Sequence, residues 1–368
     1  MFLSYPLSVY ATTISELKEQ KKQKVRKVIL TILFVAFSAG VIIATAVNEF
    51  SGSNNAAELD EVHLNGWLVI PAALCFIAMI FLEYGKYVLM IKKVAKPGAF
   101  SRKELWILAF KTVMLGRYYD KITPAAVGGQ PAQILQMRKT GKIETGMATA
   151  IPIFSMIAGQ IMFLAVAIPC FLFTDIGAKN PVLVATAWFG LLFYAFWPVM
   201  VVGTMFFPKP TAKLINFIVR FFAKIKLIKH RDEAIKRVEQ EVGDYARNVK
   251  LLTKKPAVSG SVLLMSLLSN VLMSSIPYFV LKAFGGDIDF IECFLLTISV
   301  EAAVYFAPTP GNSGVAEGTF YVVFSRLSTG YVFWAMMLWR LFSYYIYIIV
   351  GPLIYLSNYL SKKRRRGC

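Results

Sequence analysis

The chain has 368 residues, of which 57% are hydrophobic and 17% are Asp, Glu, Lys or Arg, with a formal net charge of +19 and a mean hydropathy of +0.58. That composition excludes an ordinary soluble domain of this length, and apolar runs of about 20 residues, enough to cross a bilayer, recur along it. The charge does not point to nucleic acid, because 32 of the 40 Lys and Arg lie in five segments, 1–27, 92–103, 138–144, 209–256 and 361–368, a positive-inside pattern that sets orientation in a membrane.

Residues 1–27, with Lys18, Lys21, Lys22, Lys24, Arg26 and Lys27, read as a basic cytoplasmic N-terminus. A first span at 28–47 leads to an acidic outer loop holding Glu49, Glu58, Asp60 and Glu61. The long preceding segment, with Glu16 and Glu19, favours a retained span over a signal peptide. A second span at 67–91 returns to Lys92, Lys93 and Lys96. Residues 104–137 are apolar but broken at Thr123-Pro124 and between Gly128 and Pro131, and basic residues flank them on both sides. Both flanks are therefore inside. One continuous span cannot do that, whereas a re-entrant hairpin of two half-helices can.

A third span at 145–173 leaves to a short loop with Asp175 and Lys179, and a fourth at 182–207 returns. Segment 209–256 is the one large extramembrane insert, with 13 basic and 5 acidic residues. Within it, 213–228 interleaves apolar and basic residues, as a helix lying in the inner interface would; a helix packed beneath the bundle is the other reading. A fifth span at 257–283 leads out to Asp287, Asp289 and Glu292. Residues 290–325 are again broken, from Pro308 to Gly318, and a sixth span at 331–357 ends at a basic tail, 361–368. The second broken segment thus begins and ends outside.

Residues 67–173 run span, inner hairpin, span. Residues 257–357 run span, outer hairpin, span, at nearly equal length and opposite orientation. Matched breaks of this kind mark an inverted repeat whose hairpin tips meet near the midplane. The expected fold is an all-α polytopic membrane protein. It has about six full spans plus two re-entrant broken-helix hairpins in one transmembrane domain, 28–360. Chance placement of Gly and Pro, both common in membrane helices, is the alternative.

Ionisable side chains at membrane depth are costly and so become functional candidates. Here they are Glu83, Lys86, Lys111, Arg117, Asp120, Lys121, Glu301, Glu317 and Arg340. Arg117 and Arg340 suit a phosphate, while Asp120, Glu301 and Glu317 suit an ammonium group. The half-helices that follow the breaks offer backbone N–H donors. The candidate binding set adds the break residues Thr123, Pro124, Gly128, Gly129, Gln130, Thr309, Pro310, Gly311 and Gly314. The competing reading is internal pairing, such as Arg117 with Asp120, Arg340 with Glu317 and Glu83 with Lys86. Lys111 and Lys121 also read as snorkelling groups, and Gln130, Gln133 and Gln160 as interhelical hydrogen-bonding groups.

No nucleotide-binding loop is present, and His63 and His230 form no metal-spaced cluster. No cofactor, metal or catalytic residue is assigned. Cys75, Cys170 and Cys293 read as small hydrophobes. Cys368 makes no prenylation box, with palmitoylation the alternative.

Asp120 to Ala126 with Gly128-Gly129-Gln130-Pro131, followed by Pro308 to Gly314 and Glu317-Gly318, resembles the transmembrane flippase-like region of lysylphosphatidylglycerol synthases, over nearly the whole chain. One departure is Asn312, where a small residue, usually glycine, is expected. The resemblance implies translocation of aminoacylated or other polar phospholipids, with a link to resistance against cationic antimicrobial peptides. In two-domain relatives a soluble aminoacyltransferase follows; here the sequence stops at Cys368. The lipid-moving half is therefore expected without the lysyl-transferring half, and no enzyme activity with it. Expected partners are a phospholipid substrate, anionic inner-leaflet lipids and a separate aminoacyltransferase, in the cell membrane with both termini cytoplasmic. Two other functions fit the residues: a scaffold recruiting a lipid-modifying enzyme through 209–256, and an integral membrane transferase.

Overall fold

The computed structural model describes residues 64–140, 142–173, 181–207, 256–305, 307–325 and 331–366, with scattered positions at 43, 209–220 and 249. The expected first span, the acidic loop, most of the 209–256 insert and Cys368 lie outside the described residues. Among the described residues every regular element is helical. In chain order they are α1 (Gly66–Val94), α2 (Arg102–Ile122), α3 (Gly129–Arg138), α4 (Thr145–Phe173), α5 (Pro181–Phe206), α6 (Pro256–Ala283), α7 (Phe290–Val304), α8 (Val315–Phe324), α9 (Val332–Arg340) and α10 (Ile346–Arg366). A π-helical turn, Leu341–Tyr345, joins α9 to α10 into one long rod.

Five elements are long and apolar enough to cross a membrane: α1, α4, α5, α6 and the α9–α10 rod. They coincide with the second to sixth expected spans. Exposed Leu74, Ile77 and Phe81 on α1, Leu192 and Phe196 on α5, and Leu264 and Leu268 on α6 suit faces turned to hydrocarbon, where apolar exposure carries no penalty. Prolines sit inside α1, α4, α5, α6 and α10, as membrane helices tolerate when neighbours re-satisfy the freed carbonyls.

The two broken segments behave differently. Helices α3 and α8 have 10 residues each, or about 15 Å, half of the roughly 30 Å hydrocarbon layer. Helix α7, with 15 residues, is also too short to cross. Each broken segment folds back on itself, α2 against α3 and α7 against α8. Local signals start both first arms. Ser101 and Glu104 form a capping box at α2, the Glu104 N–H donating to Ser101 Oγ at 3.3 Å and the Ser101 N–H to Glu104 Oε2 at 3.0 Å. At α7, Asp289 accepts from the N–H groups of Ile291 and Glu292 at 2.8 and 3.3 Å.

Contacts at the two poles fix how the hairpins enter. At one pole the Asn65 N–H donates to Ala283 O at 2.9 Å and the Tyr331 N–H to Phe284 O at 3.1 Å. The start of α1, the end of α6 and both flanks of the second hairpin therefore gather there. At the other pole Lys142 Nζ lies 3.4 Å from Glu104 Oε2 and 5.0 Å from the centre of the Phe100 ring, which joins the two flanks of the first hairpin. The hairpins thus enter from opposite ends of α1, and their 3₁₀ turns, Pro124–Ala126 and Pro310–Asn312, pack against each other. The pairings α1–α2, α2–α3, α3–α4 and α1–α4 recur as α6–α7, α7–α8, α8–α9 and α6–α9, while α1 packs most extensively on α6.

The buried core divides accordingly. A larger cluster holds Phe320, Phe324, Trp339, Ile276 and Leu296 around the second hairpin. A smaller one holds Tyr87, Met90, Leu108, Met137 and Ile151 around the first.

An impermeant thiol reagent gives a direct check. Single cysteines replacing Lys103 and Lys142 should react from one face of the membrane, and those replacing Asp287 and Tyr331 from the other. Labelling of any flank from the opposite face would contradict the hairpin arrangement.

Candidate functional site

The first turn begins where Pro124 forces its predecessor out of helical geometry: Thr123 sits at φ −108°, ψ 142°. The same happens at Thr309 before Pro310, at φ −84°, ψ 147°. Two residues after each Pro the chain turns left-handed, at Ala126 (φ 51°) and Asn312 (φ 58°). This accounts for the departure at Asn312, because Asn is among the few non-glycine residues that enter this region readily.

Breaking a helix leaves backbone donors without partners, and side chains of the first motif supply them. Thr123 Oγ1 donates to Tyr119 O at 2.7 Å and accepts from the Gly128 N–H at 2.9 Å. Asp120 Oδ1 accepts from the Gly129 N–H at 3.0 Å, placing a carboxylate at the positive end of α3. The Gln130 side chain makes no hydrogen bond among the described residues.

In the second hairpin Gly311 has φ 59°, and a Cβ there would run into the Tyr344 ring and stand 3.1 Å from Lys121 O. Only glycine lets this turn close on the end of α2. Glu317 Oε2 accepts from the Gly314 N–H and from Arg340 Nη2, both at 2.6 Å, while Ser313 Oγ donates to Glu317 Oε1 at 3.3 Å. Arg340 Nη2 also lies 3.4 Å from Asn312 O. Its guanidinium carbon sits 5.1 and 5.5 Å from the ring centres of Trp339 and Tyr344. With Glu317 1% and Arg340 3% exposed, the pair is a closed lock tying α8 to the rod where the π turn starts. Further along the rod, Ser343 and Tyr347 are buried as well.

A second charged group joins α1, α2 and α6. Lys86 Nζ lies 2.8 Å from Glu83 Oε1 and 3.0 Å from Ser266 Oγ. Arg117 Nη2 lies 3.2 Å from Glu83 Oε2. The expected Arg117–Asp120 pair is thus replaced, because Asp120 serves Gly129 while the buried Glu83 has a second oxygen to neutralise. Arg117 remains 41% exposed. Nearby, Glu301 accepts from Ser274 Oγ at 2.9 Å, and Lys121 is within electrostatic reach of Arg340, Arg117, Asp120 and Glu301. Tyr305 accepts from Gln160 Nε2 at 2.8 Å, and its ring centre is 4.1 Å from that of Tyr194. Gln133 accepts from the Tyr87 hydroxyl at 2.9 Å.

The expected residues therefore separate. Thr123, Pro124, Gly128, Gly129, Thr309, Pro310, Gly311 and Gly314 build the two turns, while Glu317 and Arg340 face each other in a closed pair. Arg117, Asp120, Lys121 and Glu301 stay partly exposed. The binding set expected from sequence omitted Lys86 and Glu83, whose i,i+3 spacing marked an ion pair without revealing Arg117 as its third member. It also omitted Tyr194 and Tyr305, since a tyrosine within an apolar helix carries no pattern of its own.

Removing one partner of a buried pair strands the other charge, which typically costs about 3–5 kcal/mol, whereas replacing both by apolar groups is near neutral. Arg340→Ala should therefore lower unfolding stability in detergent by about that amount. The double variant Glu317→Leu with Arg340→Met should lose much less. Equal losses in the two would contradict the lock.

Residues 28–351 match the protein family described as the lysylphosphatidylglycerol synthase TM region. The chain is also similar to a protein of Archaeoglobus fulgidus described as a UPF0104 membrane protein, at 24% identity over 254 residues, covering 67% of this chain and 74% of the relative. No solved structure matches. With most of its length inside the family match, and with both broken hairpins within that span, this multi-pass membrane protein belongs to the lysylphosphatidylglycerol synthase TM region family.

Proposed function

We propose that the protein moves polar phospholipid headgroups, aminoacylated ones included, between the leaflets of the cell membrane. The observation that carries this reading is the partly exposed set of charges, Arg117, Asp120, Lys121 and Glu301, set beside two helix breaks that touch. An ion-pair network meant only for stability would be closed off, as Glu317 and Arg340 are. A set left open offers a headgroup partners in place of water while its tails stay in lipid.

In this reading each hairpin lies within one half of an inverted repeat, 67–173 or 257–357, with the basic segments and both termini cytoplasmic. The basic inner face attracts anionic lipids, at about 1 kcal/mol per basic residue near the surface. A separate aminoacyltransferase would supply the modified lipid. Without a nucleotide site in the sequence, movement is downhill, ion-coupled or driven by a partner.

Purified protein in proteoliposomes, with phospholipids labelled on the tail, tests the proposal. The protein should speed leaflet exchange over empty liposomes, and Arg117→Gln and Asp120→Asn should each slow it at least about tenfold, the scale of one lost charge-assisted contact. Full activity in both variants would remove these residues from the route, and no exchange with wild-type protein would remove the function.

A further inference from the structure

Tyr119 and Tyr305 hold the same place in the two broken segments, each four residues before a Thr-Pro pair, at Thr123 and Thr309. Each meets a tyrosine of a full span, and that tyrosine stands four residues after a glycine: Tyr355 after Gly351 on α10, and Tyr194 after Gly190 on α5. The correspondence shows only once the contacts are known. Helix α10 packs on α2, and α5 on α7. In both seams the glycine sets the approach. A Cβ at Gly351 would run into the Tyr118 ring, and one at Gly190 into the Ala302 carbonyl. One turn further along the span, the two tyrosines of each seam reach each other across it.

The seams differ in how firmly they close. Between α5 and α7 the rings of Tyr194 and Tyr305 lie 4.1 Å apart, the Phe163 ring of α4 backs Tyr194 at 4.7 Å, and Gln160 Nε2 donates to the Tyr305 hydroxyl at 2.8 Å. Between α2 and α10 the rings of Tyr119 and Tyr355 meet edge to face at 6.3 Å, and their hydroxyls share one hydrogen bond of 2.8 Å. Tyr355 is 40% exposed, so this bond lies at the surface of the bundle. Each hydroxyl satisfies the other where hydrocarbon offers no partner. The phosphate oxygens of a headgroup can accept from both, so parting them under a headgroup strands no polar group.

The spans carry joints beside the seams. Arg340 holds α9 to α8, the π turn Leu341–Tyr345 follows, and Pro352 adjoins Gly351. Helix α10 is thus the part of the rod that can swing from α2 while α9 stays locked. On α5, Pro198 stands four residues beyond Tyr194. The seams lie in opposite halves of the bilayer, since α2 and α7 enter from opposite poles.

We infer that the two tyrosine pairs are equivalent side gates that part in turn, one passing a phospholipid headgroup between α2 and α10 and the other between α5 and α7. The inference rests on the lipid-moving reading above and names how that route opens to each leaflet. Neutral hydroxyls and rings place no charge requirement on the headgroup.

The experiment locks each gate in turn. Cysteine pairs replace the tyrosines, Tyr119→Cys with Tyr355→Cys or Tyr194→Cys with Tyr305→Cys, in full-length protein whose Cys75, Cys170, Cys293 and Cys368 are changed to Ala. A short reducible reagent that bridges two thiols is added to proteoliposomes holding a tail-labelled phospholipid. Bridging either pair should return leaflet exchange to the rate of empty liposomes, and reduction should restore it. The single-cysteine proteins should be unaffected by the reagent.

Undiminished exchange with both seams bridged overturns the gates and leaves the lipid-moving reading standing. Loss at one seam only overturns their equivalence, and inserted protein in which neither pair can be bridged overturns the pairing. If the cysteine pairs themselves stop movement, photo-oxidation of wild-type protein, which joins neighbouring tyrosine rings, takes their place, with Tyr355→Phe and Tyr194→Phe as unjoined controls. Movement that survives the joining of both ring pairs overturns the gates. No movement by untreated wild-type protein overturns the gates and the lipid-moving reading together.

Discussion

A bilayer supplies no water to a broken helix, so each break in this chain must bring its own hydrogen-bond partners. That constraint explains the two motifs residue by residue. Proline ends the first arm by pushing Thr123 and Thr309 into extended geometry. A left-handed residue, Ala126 or Asn312, turns the chain. A carboxylate, Asp120 from before the break or Glu317 from after it, then takes an N–H at the start of the returning arm. The two breaks solve one problem with the carboxylate on opposite sides of the turn.

The same carboxylates explain why the charges divide into a closed and an open set. Glu317 is buried with Arg340 and saturated by Ser313 and Gly314, so it holds the second hairpin against the α9–α10 rod. A π turn beginning right after Arg340 is the kind of local distortion that recurs at functional positions in helices. Asp120 makes one hydrogen bond among the described residues, to the Gly129 N–H, and Arg117 is 41% exposed and tied on one side to a buried Glu83–Lys86 pair. One hairpin is locked and the other keeps charges available. Close packing supports the open side, since Gly190 of α5 leaves no room for a Cβ against the Ala302 carbonyl beside Glu301, the small-residue approach typical of membrane helices.

Much of this was legible in the sequence because membranes impose few solutions. Apolar runs and the distribution of Lys and Arg gave spans two to six within a few residues. The flanking charges lead to the expectation that each broken segment returns to its own side, and the contacts of Lys142 with Glu104 and of Tyr331 with Phe284 bring the two flanks of each segment together. Pairing was less legible. Arg117 and Asp120 share a helix face, but spacing along one helix says nothing about Glu83 arriving from α1 with greater need of a cation. Arg340 and Glu317, 23 residues apart, form one of the pairs that the internal-pairing reading names. Tyr194, Tyr305 and Ser266 join the polar region through tertiary packing alone, for which one sequence holds no signal.

The central claim is that the two broken turns meet inside the bilayer. Cysteines placed singly at 124–126 and paired with cysteines at 310–312, in membranes and with a short bifunctional thiol reagent, measure it most directly. The account predicts an intramolecular cross-link for at least one pairing, blocked when either cysteine is absent. Properly inserted protein in which no pairing cross-links would contradict it.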